Sequence, residues 1–499
     1  MKKNTKLIEF KEYLTKIEYL TTIEGVLYWD MRVNVPSKGV SDRGDILAYM
    51  SVEKYKLQTS DKMKEYIDYF INDDSLDFQD KKMVLNCKKE YELNSKIPED
   101  RNKAYALAVA KSETAWEKAK QENDFEVFKP YLKEMIDFNR EFVNYWGYKD
   151  NKYDTLLNIY EPGITVDKLD TIFNDLKNGI IDLLDKIKSS SEVINSSVFN
   201  KKFSKESQEE FSKFVLEKIG YDFEAGRLDE TEHPFTIEFG NRDVRITTHY
   251  YQEDFKSALF SCIHEGGHGI YEQDIPDGLK GTLLGKGTSM GIHESQSRFY
   301  ENILGRSLSF WKYFYPEAIK RFPQFEGVSL DEFYKGINEV KTSLIRTESD
   351  ELTYSLHIII RYELEKALIN GELEIDDIKD AWNKKYKEYL NIEPSNDSEG
   401  ILQDMHWSGG SFGYFPSYAL GNLYGAQFLY KMKKEIPNIY DEIENGNFEI
   451  IHKYLNEKIH KYGSTLDPVE IIKLATGEEL NSKYFIDYLN EKYKDIYKI

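Results

Sequence analysis

Cysteine is nearly absent from the sequence, since its 499 residues include only Cys87 and Cys262. Two cysteines cannot form the disulfide framework that is typical of small secreted proteins. We interpret Cys262 as a packing residue rather than a metal ligand. The low cysteine content is compatible with a reducing compartment.

Long apolar runs are also missing. No stretch approaches the roughly 20 apolar residues that a helix needs to cross a bilayer. The segment 1–10 begins with lysines but has no apolar core, so it does not resemble a secretion signal. Together with the few cysteines, these absences predict a cytoplasmic protein that has no membrane partner.

Positive charge is in short supply. The chain has 67 lysines and arginines against 88 aspartates and glutamates, which gives a net charge of −21. Nucleic acids and acidic membrane surfaces would be repelled by this excess. The charge therefore excludes both as partners, although it does not select a substrate.

Histidine and glutamate are present in an informative spacing at His264, Glu265 and His268. On a helix that begins after a predicted cap at Asp254, positions i and i+4 lie one above the other, so both imidazoles reach one metal ion. The pattern predicts half of a zinc site. Two glycines between the histidines cost about 1 kcal/mol each in a helix. A close approach of backbone or substrate would explain them.

Glu294 is the predicted third ligand, on a second helix capped by Thr288 or Ser289. A catalytic zinc site takes three protein ligands and keeps one position open. His293 is the competing ligand, but adjacent helical residues point about 100 degrees apart and normally cannot both ligate. Ligating imidazoles usually donate their other N–H to an acid or carbonyl, and Glu301 and Asp274 are the predicted partners.

A β-hairpin is predicted from alternating residues at 235–239 and 244–248, with a turn at 240–243. Beside the zinc helix, its edge would either pair with an extended peptide or only brace a groove. We leave both roles open.

Six blocks of this sequence resemble the carboxypeptidase Taq family of zinc metallopeptidases. They are His233-Pro234-Phe235 (HPF), Asp243–Thr247 (DxRxT), His264–His268 (HExxH), His293–Gln296 (HES[GQ]), Ile345–Asp350 ([IV]RxxAD) and Gly400–Trp407 (GxxQDxHW). Ser349 departs from the pattern, where the family has alanine, while Arg346 and Asp350 match it. The resemblance extends from Tyr28-Trp29-Asp30 to Asn422 and so covers most of the chain.

The resemblance implies a metallocarboxypeptidase that removes single C-terminal residues from peptides with broad specificity. It implies a mainly α fold with a long central groove, usually in a homodimer. Zinc would be the cofactor, and Co²⁺ or Mn²⁺ could substitute for it. We expect residues 1–499 to form one peptidase unit, with a helical wall or lid at 1–188 and a catalytic part at 201–499, joined by an exposed connection at 189–200.

Glu265 is the predicted general base toward a zinc-activated water. Arg346 is our first choice to hold the substrate carboxylate, by resemblance and by its helical setting, and Arg245 is the second. The alternative for Arg346 is an ion pair with a nearby carboxylate or with one on another helix.

The oxyanion of the reaction needs a hydrogen-bond donor. His406 and Tyr418 are preferred over Tyr414 and Tyr424, because nearby glycines let a peptide approach. The matching blocks also assign four residues to substrate binding, namely His233, Asp350, Gln403 and Asp404.

Three other functions fit parts of the pattern. A zinc oligopeptidase or a dipeptidyl carboxypeptidase would share the metal site and differ only in product length. A non-catalytic peptide-binding module is the third, and an intact Glu265 speaks against it. Given the net negative charge, we expect poor cleavage of acidic C-terminal residues.

Overall fold

The computed structural model describes residues 2–499, with side chains from residue 5 onward. Met1, where the predicted single unit begins, lies outside the described residues. The fold is mainly α-helical, as the sequence predicts. The first eight helices are α1 (Lys2–Val33), α2 (Val40–Gln58), α3 (Asp61–Phe70), α4 (Phe78–Ser95), α5 (Glu99–Glu122), α6 (Phe125–Trp146), α7 (Lys152–Tyr160) and α8 (Val166–Lys188).

A small sheet follows helix α9 (Lys205–Ile219). Its strands are β1 (Gly226–Glu230), β2 (Thr236–Glu238) and β3 (Val244–Thr248). Strands β2 and β3 pair antiparallel, with Ile237 opposite Arg245, which confirms the predicted hairpin. Strand β1, which the sequence analysis did not predict, pairs parallel with the other edge of β3. The sheet is therefore mixed, and β3 is its central strand.

The second half of the chain is again helical. Its helices are α10 (Phe255–Gln273), α11 (Met290–Arg298), α12 (Leu308–Arg321), α13 (Leu330–Ile337), α14 (Tyr354–Asn370), α15 (Ile378–Leu390), α16 (Pro416–Glu435), α17 (Ile439–Glu444), α18 (Glu449–Lys458), α19 (Pro468–Thr476) and α20 (Lys483–Tyr497). Helix α11 packs against both α10 and α16 at the centre, because Gly267 of α10 and Gly421 of α16 let it come close.

Two clusters of buried apolar side chains stabilise the fold. The larger one runs from Ile97 to Tyr497 and includes α5–α8 as well as the helices around α10. The smaller one joins α1, α3 and α4 to the loop residues Leu283 and Leu284. Helices α5–α8 thus share a core with the predicted catalytic part, whereas α1, α3 and α4 pack in the smaller cluster. The division at residue 188 stays a prediction.

A groove with a volume of about 1150 Å³ opens beside α10. One wall comes from the loops at one end of the sheet, through His233 and His249, and the other from the segment 337–354. His264 and Glu265 face into it. Among the described residues, none of the helices has the length and apolar content that would let it span a bilayer.

Candidate metal centre and substrate groove

Helix α10 begins at the predicted cap, because the Asp254 carboxylate accepts the backbone N–H of Lys256 and Ser257 at 2.8 and 3.2 Å. Its apolar residues, which include Leu259 and Ile263, are buried. This buried face anchors the helix, and the two histidines project from another face toward α11.

One of the paired glycines of α10, Gly267, is explained by a close backbone approach, whereas a Cβ atom on Gly266 would meet the Leu216 side chain of α9. A Cβ atom on Gly267 would lie 2.7 Å from the carbonyl oxygen of Gln296 and 2.7 Å from Cα of Ser297, both on α11. No side chain fits there. Glycine at position 267 costs helix propensity, but its missing side chain lets the two helices that carry the candidate ligands touch.

The three predicted ligands meet between α10 and α11. Oε2 of Glu294 lies 3.7 Å from Nε2 of His264 and 3.5 Å from Nε2 of His268. All three donor atoms lie within 4.8 Å of one another. Helix α11 is capped by Ser289, not Thr288, since the Ser289 hydroxyl accepts the N–H of Ile292 at 3.1 Å. Two imidazoles and one carboxylate form the donor set that suits zinc.

Charged groups behind the ligands keep the carboxylates ionised. Nδ1 of His264 lies 2.8 Å from Oε2 of Glu301, as predicted, and Arg298 donates to both Glu294 and Glu301 at 2.7 and 3.1 Å. Burial alone would raise the pKa of Glu301, but Arg298 and His264 lower that pKa to about 2. The same neighbours hold the pKa of Glu294 well below its usual range against the effect of burial.

One expectation about the surroundings of the proposed metal site differs from the structure, and a competing alternative is placed elsewhere. Asp274 does not support a ligand, because its carboxylate contacts His452 and His460 at 2.8 and 2.6 Å. His293, the competing ligand, lies behind His268, with 2.6 Å between their Nδ1 atoms. Its position behind the ring follows from the turn of α11, which points Glu294 rather than His293 at the metal centre.

Glu265 is held by the sheet. The hydroxyl of Thr236 on β2 donates to Oε2 of Glu265 at 2.6 Å. Burial raises the pKa of Glu265. Sequence reasoning missed Thr236, because only the strand pattern marked that segment and a strand pattern does not name a partner.

Arg346 lines the groove but is paired. It lies in a single 3₁₀ turn, Arg346–Glu348, and not in a longer helix. Its Nε and Nη2 atoms donate to Oδ1 of Asp404 at 2.9 and 2.8 Å, and Nη1 donates to the Tyr354 hydroxyl at 3.0 Å. The ion pair with a distant carboxylate, which the sequence left open, is therefore formed.

Asp404 is shared by two arginines. Its Oδ2 accepts from Arg361, which is fully buried and which the sequence analysis did not single out, at 2.6 Å. Burial would raise the pKa of Asp404, but Arg361 and Arg346 hold it far below its usual range. We refer to Arg346, Arg361 and Asp404 as the arginine cluster. It has one net positive charge.

The remaining residues assigned to substrate binding have internal contacts. Gln403 accepts the backbone N–H of Arg346 at 3.0 Å. Asp350 accepts the backbone N–H groups of Lys341 and Thr353 at 3.1 and 2.9 Å. These bonds shape the loop that presents Arg346, and contact with substrate stays a prediction for both side chains.

His406 and Tyr418 form a pair beside the arginine cluster. Nε2 of His406 lies 3.0 Å from the Tyr418 hydroxyl, and the Tyr418 ring lies 5.0 Å from the Arg346 guanidinium. Burial and the arginines lower the pKa of His406 to about 4, so it is neutral at pH 7. Tyr424 is engaged elsewhere, since its hydroxyl donates to buried Glu161 at 2.8 Å.

Arg245 and His233 occupy different settings. The Arg245 fork donates to both oxygens of Asp243 at 2.7 and 2.8 Å, and its face stacks 4.4 Å from the Trp29 ring. These contacts use the groups that would bind a substrate carboxylate. His233 is exposed at the rim of the groove.

Tyr354 connects the metal centre to the arginine cluster. The Arg298 guanidinium lies 4.2 Å from the centre of its ring, while its hydroxyl accepts from Arg346. The two clusters are thus neighbours within one groove. One groove therefore contains a candidate cation site and, beside it, a cluster with net positive charge.

Comparisons with known proteins cover nearly the whole chain. The sequence model described as carboxypeptidase Taq (M32) metallopeptidase matches residues 9–493. Carboxypeptidase 1 of Bacillus subtilis is 49% identical over 98% of each chain. Thermostable carboxypeptidase 1 of Thermus thermophilus is 37% identical over 97% of this chain and 98% of the relative. The crystal structure of an M32 carboxypeptidase from Deinococcus radiodurans superposes with a TM-score of 0.97, at 32% identity, over 99% of this chain and 100% of that chain.

Proposed function

This chain belongs to the carboxypeptidase Taq (M32) family and is a metallocarboxypeptidase, and we propose that it uses zinc and Glu265 to release single C-terminal residues from peptides. The observation that carries the proposal is the convergence of His264, His268 and Glu294, with donor atoms within 4.8 Å. Co²⁺ or Mn²⁺ would also accept this donor set.

Glu265 is the proposed general base. When bound, zinc would polarise the scissile carbonyl and acidify the attacking water. Glu265 takes a proton from that water and delivers it to the leaving amine. The raised pKa of this buried carboxylate makes it a stronger base. Thr236 orients it through the 2.6 Å hydrogen bond.

Arg346 is the proposed receiver of the substrate's terminal carboxylate. It lines the groove, and two arginines share the single carboxylate of Asp404. The uncompensated charge attracts an anion. Arginine suits this task because its fork donates two parallel hydrogen bonds. In this proposal Asp404 and Gln403 act on the substrate by orienting Arg346.

His406 and Tyr418 are the proposed donors to the oxyanion. Both lie beside Arg346. The imidazole of His406 is neutral and is hydrogen-bonded to the Tyr418 hydroxyl, so the pair can donate a hydrogen bond to the oxyanion without adding a second positive charge. Preorganised donors of this kind stabilise the transition state more than the substrate.

Substrate specificity is proposed to be broad, with poor cleavage of acidic C-terminal residues. The net charge of −21 supports this expectation. Initial rates on peptides that differ only in their last residue would test it. Equal rates for glutamate and leucine at that position would contradict it.

Mass spectrometry of one unblocked peptide, incubated with zinc-loaded protein, tests the main proposal. We expect a ladder of products that lose one C-terminal residue at a time. The ladder should be absent with a chelator and with Glu265→Gln. Two-residue steps would indicate a dipeptidyl enzyme, internal fragments an oligopeptidase, and no cleavage despite bound metal a binding module.

We also propose that the enzyme is a cytoplasmic homodimer. Both cysteines are buried and free, which suits a reducing compartment. Exposed apolar side chains recur on α1 and α2, among them Tyr19 (65% exposed), Ile23 (44%) and Tyr49 (63%). Such a face supports contact with a second copy. Sedimentation velocity should show a dimer that Tyr49→Glu weakens, and a monomeric wild type would contradict the proposal.

A further inference from the structure

A buried imidazole and a buried carboxylate stand in line behind the proposed ligand His268. Nδ1 of His268 lies 2.6 Å from Nδ1 of His293. Nε2 of His293 lies 2.8 Å from Oε1 of Glu272, whose side chain is only 4% exposed. The other ligand histidine differs, because His264 contacts the carboxylate of Glu301 directly.

Only one arrangement of protons lets His268 bind a metal through Nε2. Nε2 must then be free of a proton, so the neutral ring carries its proton on Nδ1. That N–H points at Nδ1 of His293, which must accept. His293 therefore carries its own proton on Nε2 and donates it to Glu272. Each hydrogen bond in this row fixes the tautomer of the next imidazole. The row of hydrogen bonds ends at the Glu272 carboxylate, which can only accept.

The loop before α11 holds the side chains of His293 and Glu272 in place. The backbone N–H of Gly287 donates to the same Oε1 of Glu272 at 2.9 Å. A Cβ atom on Gly287 would lie 2.7 Å from Cδ2 of His293 and 2.8 Å from the Tyr271 ring. The loop thus closes over His293, and only glycine leaves the imidazole its room.

We propose that His293 and Glu272 are positioning residues that fix the orientation and tautomer of His268, with Gly287 providing the space they need. The inference rests on the proposed function, since it requires a metal ion at His264, His268 and Glu294. The sequence analysis considered His293 only as a competing metal ligand. Here His293 instead supports a ligand without binding the metal. Groups that orient a ligand in this way typically contribute 10- to 100-fold to metal affinity.

Zinc affinity of the full-length protein, measured by competition with a chromogenic chelator, tests the proposal. Three substitutions separate the two ends of the His293 ring. The end of an asparagine side chain reaches the position of Nδ1, the end of a glutamine side chain lies nearer to Nε2, and alanine reaches neither. We expect His293→Ala and His293→Gln to weaken zinc binding about 10- to 100-fold. His293→Asn should recover most of the loss, because it offers an acceptor to His268.

A purely structural role of His293 predicts another result. Asparagine and glutamine would then be equally harmful, and equal losses overturn the proposal. So does an unchanged affinity in His293→Ala. A loss of affinity well beyond 100-fold, together with a changed absorption spectrum of the variant saturated with excess Co²⁺, would make His293 a ligand and overturn the proposal. His452→Ala is the matched control, since it truncates another histidine whose ring contacts Asp274 and none of the three proposed ligands, and it should leave affinity unchanged.

Two further variants keep the test decisive if His293→Ala does not fold. Glu272→Gln preserves shape, and we expect a smaller loss of affinity than in His293→Ala. Gly287→Ala pushes on His293 and should weaken zinc binding by about 10-fold. Unchanged affinity in both folded variants would overturn the proposal.

Wild-type protein and His268→Ala separate this inference from the proposed function. If the wild type binds no zinc, or if His268→Ala binds it equally well, the metal centre itself is wrong. If both behave as expected and zinc affinity does not change among the His293 variants, only the positioning role is wrong.

Discussion

The proposed metal centre and the arginine cluster lie beside the same groove but are built in different ways. His264 and His268 come from one helix, and Glu294 comes from a helix that touches it. Arg346, Arg361 and Asp404 come from a 3₁₀ turn, a buried helix and a loop. Local periodicity can build a metal site, whereas a carboxylate shared by two arginines requires distant segments to meet.

Their charges also differ in sign. Glu265, Glu294 and Glu301 surround the metal centre, and Arg298 offsets part of their charge. The arginine cluster has two cations for one carboxylate. The first region is suited to a metal cation and the second to the end of a peptide. If the two regions have separate tasks, substitutions in the first should lower kcat and substitutions of Arg346 should raise KM.

Glu265→Gln should have the largest effect. Loss of the general base is expected to lower kcat on the order of 10³- to 10⁴-fold, while KM and bound metal stay close to wild type. Steady-state kinetics and metal analysis of the same preparation check this. If the variant retained a tenth of the wild-type kcat, Glu265 would not be the general base.

Asp404→Asn should be the most destabilising change in the arginine cluster. It leaves two buried arginines without their counterion, and we expect a loss of about 3–5 kcal/mol in the free energy of unfolding. Urea denaturation checks this. Glu99→Gln, which removes an exposed i,i+4 ion pair with Lys103, is the control and should show no measurable change.

The pH dependence of that loss has a definite sign. The folded protein holds the pKa of Asp404 far below its usual value. The stabilisation is therefore complete above the unfolded pKa of about 4 and is lost only as pH falls further toward the folded value. The difference between wild type and Asp404→Asn should be constant from pH 7 to about pH 4. A difference that disappears near pH 6 would contradict the ion-pair explanation.

Arg346→Ala should separate binding from chemistry. We expect kcat/KM to fall about 100-fold for free peptides, mainly through KM, because charge-assisted hydrogen bonds to the carboxylate are lost. Peptides with an amidated C-terminus sharpen the comparison. Wild type should discriminate strongly against them and the variant should not. Equal discrimination in both proteins would assign the carboxylate to another residue.

Thr236→Val should have the smallest effect. It removes one hydroxyl that orients Glu265, worth about 1 kcal/mol, so kcat should fall roughly fivefold with unchanged stability. Thr236→Ser keeps the hydroxyl and should stay near wild type. A loss as large as that of Glu265→Gln would mean that the sheet contributes more to catalysis than orientation.

The sequence predicted the hairpin and the cap at Asp254 because each depends on residues close together in the chain. It predicted Glu301 behind His264 from the general need of ligating histidines for an acceptor. The same reasoning was wrong for Asp274, because several acids follow α10 and only packing selects among them. Arg361 was missed, although it follows the apolar run 358–360, because such a run predicts a buried helix and does not name a partner for the arginine.

Local sequence was enough to predict the half of the proposed metal site that lies on α10, because the helical repeat places His264 and His268 on one face wherever that helix packs. Motifs that extend over most of the chain were enough to predict the family. Three contacts became visible only in the folded protein: Asp404 binds Arg346, Thr236 binds Glu265, and His293 lies behind His268. Each of these depends on a hydrogen bond between segments whose distance in space is set by packing, and no local pattern encodes that distance.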